Sequence, residues 1–159
     1  MHFAGKIRSA IMAFLILFSF FLLTGCSTIS PVVNINIEYS TYETDSLGSY
    51  PKHEAVEGEK FVVLRMEVTN NNSTESFLIH RMDFYLVTPD QRFVATPGAD
   101  QMPDILHPID NNSEIMPGGT VKQTTFFEIP KDIENYGFEY DNSSPTEVNV
   151  SWEEADLSW

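Results

Sequence analysis

Residues 60–69 (KFVVLRMEVT) alternate with a period of two. Val62, Leu64, Met66 and Val68 share one face, while Arg65, Glu67 and Thr69 share the other with Phe61 and Val63. Successive side chains of a strand point to opposite faces, so this run is the strongest strand signal in the chain. Asn70-Asn71-Asn72-Ser73 ends it, because Asn tolerates the left-handed backbone of turns. Val33, Ile35, Ile37 and Tyr39 alternate in the same way with Asn34, Asn36, Glu38 and Ser40.

Shorter strands are expected over 77–79 and 82–88, and Pro89-Asp90-Gln91-Arg92 offers a tight turn into 93–96, as in a hairpin. Pro117-Gly118-Gly119 turns into 120–129, with Val121, Phe127 and Ile129 on one face. Pro130-Lys131-Asp132 breaks that strand, and 131–136 suit a single helical turn. The last strands are expected over 138–140 and 147–152, with Val148, Val150 and Trp152 inward. Residues 43–58 read as a loop. So do 97–113, which hold Pro97, Gly98, Pro103 and Pro108, and so long a loop in a small domain is a functional candidate. No segment outside 11–23 sustains a 3.6 period. Eight short strands at this spacing predict an all-β antiparallel sandwich of about 7–9 strands.

Ahead of the strands, Lys6 and Arg8 form a positive region with no acidic residue before Glu38. Residues 11–23 (IMAFLILFSFFLL) follow, apolar except for Ser19. As a helix this stretch would rise about 20 Å, short of the roughly 30 Å hydrocarbon core. The pattern is that of a secretory signal. Leu23-Thr24-Gly25-Cys26 resembles the lipobox of prokaryotic lipoproteins, in which the thiol takes a lipid before cleavage. Small residues admit the peptidase, and only the thiol can carry the lipid. The chain has one Cys, so a disulfide within it is impossible. An uncleaved membrane anchor or a buried structural Cys is the competing reading. The expected organisation is a signal peptide over 1–25, the lipidated Cys26 with a short tether over 26–32, and the sandwich over 33–159.

Of the 159 residues, removing 25 leaves 134, enough for one domain with a core. Removing Lys6 and Arg8 leaves 7 basic against 23 acidic residues, a net charge of −16. That sign argues against nucleic acid, whose binding rests on Lys and Arg neutralising phosphates, and against electrostatic attachment to anionic lipid. Aromatic content of 13% separates the chain from a disordered acidic tail.

Three stretches together are similar to a known family: FVVLRMEVTNNN (61–72), FYLVTPDQRFVA (84–95) and EIMPGGTVKQTTFFEIPKDIENYGFEY (114–140). They resemble exported prokaryotic lipoproteins with a telokin-like, immunoglobulin-like domain of unknown function (DUF4352-like). The corresponding residues are Asn70, the Asp90-Gln91-Arg92 turn, Pro117-Gly118, and Phe127 with Pro130. Asp90-Gln91 departs from the family's usual Asp-Gly. The resemblance implies an extracytoplasmic immunoglobulin-like sandwich and no established catalytic residues.

The motifs of chemistry are sparse. His53, His80 and His107 have no metal-ligand spacing, and no G-x-S-x-G elbow is present. Asp100, Asp104, Asp110 and Asn111 could offer oxygens to calcium, but D-x-[DN]-x-[DN]-G is absent, so they remain weak metal candidates against a solvated acidic loop. Sequons stand at Asn71, Asn72, Asn111, Asn142 and Asn149, all but Asn149 in expected turns; Asn-rich turns also produce sequons automatically. The expectation is therefore no enzyme, no catalytic residue and no cofactor beyond a covalent lipid at Cys26. The protein would be a membrane-anchored binding or structural module outside the cytoplasmic membrane, in the periplasm or on the cell surface. Its expected partners are the membrane and another envelope or surface protein, with no nucleic acid. The alternative is a cation- or ligand-binding sensor using the acidic 97–113 loop.

Overall fold

The computed structural model describes residues 32–49, 52–97, 113–141 and 147–157. All of them fall in the compact unit Pro31–Trp159. Eleven strands are described: β1 (Val33–Thr44), β2 (Ser46–Leu47), β3 (His53–Glu54), β4 (Glu59–Asn70), β5 (Phe77–Ile79), β6 (Phe84–Val87), β7 (Arg92–Val94), β8 (Ser113–Ile115), β9 (Thr120–Pro130), β10 (Gly137–Tyr140) and β11 (Val148–Glu154). A single 3₁₀ turn, Arg81–Asp83, precedes β6. The domain is all-β, as the alternation predicts.

Two sheets carry the sandwich. One has the order β11-β1-β4-β9, the other β10-β6-β7, and two small ladders pair β2 with β3 and β5 with β8. β4 sits at the centre of the larger sheet, antiparallel to β1 through Ile37↔Val68 and to β9 through Val62↔Phe127. One pairing departs from the antiparallel expectation: β11 runs parallel to β1, with Ile35↔Val150 and Ile37↔Trp152 in register.

The alternation sorts the sheet into an inner and an outer face. Val33, Ile35, Ile37, Val62, Leu64, Met66, Val68, Phe127 and Ile129 line the inner face and pack with Phe84 and Leu86 of β6. Tyr39 meets Trp152 edge-on at 5.7 Å, and Phe84 meets Tyr140 at 4.9 Å, geometries that suit the ring quadrupoles. Phe61 and Val63 belong to the outer face yet are buried. With Leu47 and Phe126 they form a second, small core beside the β2–β3 ladder.

Eight of the strands fall where the alternation places them. The other three are unexpected: β2 and β3 lie within 43–58, read as a loop, and β8 runs from the last residue of the 97–113 loop into 114–115, to which no element is assigned. The strand expected from Met82 starts instead at Phe84, because 81–83 form the 3₁₀ turn and leave Met82 47% exposed. No helical turn forms over 131–136; Ile133 N–H bonds to the Pro130 carbonyl at 3.2 Å in a turn.

Candidate functional site

The inward face of β4 carries a buried polar residue at each end: Lys60 at one, Asn70 at the other. Both have the parity of Val62, Leu64, Met66 and Val68, so strand geometry forces each toward the core. A polar side chain in that position must find partners or cost stability.

At the Lys60 end the partners are charged. Lys60 Nζ donates to Glu43 Oε2 at 2.9 Å and to the Ile133 carbonyl at 2.8 Å. Tyr136 donates its hydroxyl to Glu43 Oε1 at 3.1 Å. Burial, and then the Glu43 charge, push the Tyr136 phenol up to about 12, so it keeps its proton and its role as donor well into the alkaline range. Lys131 pairs with Asp45 at 2.9 Å nearby. Glu43, Thr44, Asp45, Lys60 and Lys131 line an open polar cleft of about 350 Å³. Each ammonium there faces a carboxylate, so the cleft neutralises itself. Its chemistry is that of a brace joining β1, β4 and the 131–136 turn.

At the Asn70 end the partners are neutral. Asn70 Nδ2 donates to the Glu75 carbonyl at 2.8 Å and the Ile115 carbonyl at 3.0 Å, and Oδ1 accepts from Asn72 N–H at 3.0 Å. Its main chain is tied as well: Asn70 N–H donates to the Gly119 carbonyl and Gly118 N–H donates to the Asn70 carbonyl. One residue thus holds three pieces of chain: its side chain the 71–76 connection and β8, its main chain the Pro117-Gly118-Gly119 turn. Gly118 has φ of +69°, and a Cβ on Gly119 would stand 2.9 Å from the Met116 carbonyl oxygen, so each glycine answers a separate demand of that turn.

The expected site residues fall unevenly. Leu23, Thr24, Gly25, Cys26, Asp100, Asp104, Asp110, Asn111 and Asn142 lie outside the described residues, as does His107. Asn71 is exposed, whereas the Asn72 amide is committed: its Nδ2 donates to Asn34 O at 3.3 Å and its Oδ1 accepts from Asn34 N–H at 3.2 Å. Asn149 is exposed on β11 and donates to Asn34 Oδ1 at 3.2 Å. His53 is an exposed residue of β3, and His80 precedes the 3₁₀ turn, its carbonyl accepting from Asp83 N–H without a side-chain cap. Among the described residues, no group of three or more His, Cys, Asp or Glu is placed to hold a metal.

Neither end of β4 was recognised from the sequence as a site. The available signal was parity: a Lys on the core-facing register of the best strand needs a counter-charge. Which carboxylate supplies it depends on the β1–β4 register, which no local pattern encodes.

Fold and motifs together define an all-β sandwich whose turns are organised by a buried Asn at the end of its central strand. The chain belongs to the family described as a domain of unknown function (DUF4352), whose model matches residues 30–150. No curated protein and no solved structure matches it. Of the residues that carry the resemblance, Asn70 organises the turn and Phe127 lies fully buried in the core.

Proposed function

We propose that the chain is an exported lipoprotein, held to a membrane by lipid on Cys26, whose sandwich serves as a non-enzymatic module binding another envelope or surface protein. The observation that carries the reading is Leu23-Thr24-Gly25-Cys26, which begins on the last residue of the apolar run 11–23 and ends seven positions before β1 opens at Val33. Each buried CH₂ of an acyl chain contributes about 0.8 kcal/mol, so two or three chains hold firmly where a charge of −16 would not. In this reading the immunoglobulin-like domain stands outside the cytoplasmic membrane on a tether of residues 26–32.

Fractionation of cells producing the full chain tests it. The protein should sediment with membranes and enter the detergent phase, while Cys26→Ser should appear as a folded soluble protein. A Cys26→Ser protein that stays in membranes after loss of its leader would overturn the proposal.

A further inference from the structure

We infer that β11 is a recognition edge, to which an extended segment of a partner protein with basic ends adds as a fifth strand of the β11-β1-β4-β9 sheet. The inference rests on the partner-binding reading above and names the chemistry of the partner. In the larger sheet the β9 edge is engaged over 126–128: Thr96 N–H donates to the Phe126 carbonyl at 2.9 Å, and Thr96 Oγ1 accepts from Glu128 N–H at 3.0 Å. β11, at the other edge, pairs among the described residues with β1 alone.

The parallel register states which groups it presents. Val33 N–H donates to the Glu147 carbonyl and Ala155 N–H donates to the Tyr39 carbonyl. The odd-numbered residues therefore bond to β1, and Val148, Val150, Trp152 and Glu154 turn their N–H and C=O groups outward. An edge of this kind is a template for another strand, and proteins ordinarily blunt it with Pro, Lys or a bulge. β11 has none of these over seven residues (VNVSWEE) in unbroken register.

Charge selects the occupant. The centre, 148–152, is uncharged, while Glu147 stands before it and Glu153 and Glu154 close it. A second copy pairing antiparallel about Val150 would set Glu147 opposite Glu153, and like charges directly opposite are destabilising. A strand with aliphatic residues at its centre and Lys or Arg at its ends meets both demands. Its main chain supplies affinity and its ends supply register.

The test uses the full-length lipidated protein in detergent micelles and two synthetic peptides, Lys-Val-Thr-Val-Thr-Val-Lys and its Glu-ended counterpart, both with blocked termini. Without peptide, the Val150 and Trp152 amides should exchange at least about tenfold faster than those of Asn149 and Ser151. The Lys-ended peptide should slow both, and should bind about tenfold or more tightly than the Glu-ended one. Glu147→Lys with Glu153→Lys, at exposed positions, should reverse that preference. Val150→Pro should abolish binding. Equal affinity for the two peptides, binding that leaves Val150 and Trp152 exchange unchanged, or a dimer that protects these amides by itself would each overturn the inference. Such a failure with Cys26-dependent membrane attachment intact sinks the edge and not the anchored module; loss of that attachment sinks the module.

Discussion

Asn70 and Lys60 lie ten residues apart on the same face of β4, yet they reconcile burial with polarity by opposite means. Asn70 is fully enclosed and bonds largely to main chain, so its partners neither titrate nor respond to salt. Lys60 sits at a cleft, against a glutamate whose side chain is 43% exposed. If Lys60 is lost, water can solvate Glu43; if Asn70 is lost, the buried Ile115 carbonyl loses this partner out of reach of water, and the part-buried Glu75 carbonyl and Asn72 N–H lose it as well. Burial of the partner, more than the charge of the residue, therefore decides which end is fragile.

Asn70→Leu should have the largest effect, a loss of about 3 kcal/mol in urea unfolding, because each buried group left unsatisfied costs about 1–3 kcal/mol. Gly119→Ala should come next, at about 1–2 kcal/mol. Its Cβ would press on the Met116 carbonyl that accepts the turn's own hydrogen bond from Gly119, and crowding of that kind costs about 1–3 kcal/mol. Lys60→Met should cost about 1 kcal/mol or less, since Met keeps the buried apolar stem and the carboxylate left behind on Glu43 is 43% exposed to water. The Lys60 difference should shrink in 1 M salt and the Asn70 difference should not. Equal costs for Asn70→Leu and Lys60→Met would break the comparison.

The alkaline limb sharpens it further. Tyr136 keeps its proton up to about pH 12 in the fold, against about 10 in an unfolded chain. The stability this adds is complete below pH 10 and is lost as pH rises toward 12. Tyr136→Phe should therefore flatten the fall in stability between pH 10 and 12 at the Lys60 end. An unchanged slope would remove Tyr136 from the account.

Much of the sandwich was legible because alternation is local. The faces of β4, the inward set Val148, Val150 and Trp152, and the turn at Pro117-Gly118-Gly119 all follow from neighbours in sequence. β8 escaped because Ser113-Glu114-Ile115 is too short to show a period and becomes a strand only against Phe77–Ile79. The parallel pairing of Ile35 with Val150 joins residues more than a hundred positions apart, and no local pattern announces it. The pairing of Lys60 with Glu43 was hidden for the same reason, although the parity of Lys60 marked that some acceptor was required. The proposed anchor is the reverse case: Leu23-Thr24-Gly25-Cys26 is read wholly from sequence, and it lies outside the described residues.

The attachment at Cys26 is the claim on which the functional reading turns, and the intact mass of the protein extracted from membranes tests it most directly. A lipid-anchored protein will show a chain that begins at Cys26 and carries the added mass of a thioether-linked diacylglyceryl group. A chain that retains residues 1–25, or begins at Cys26 with an unmodified thiol, would contradict that claim.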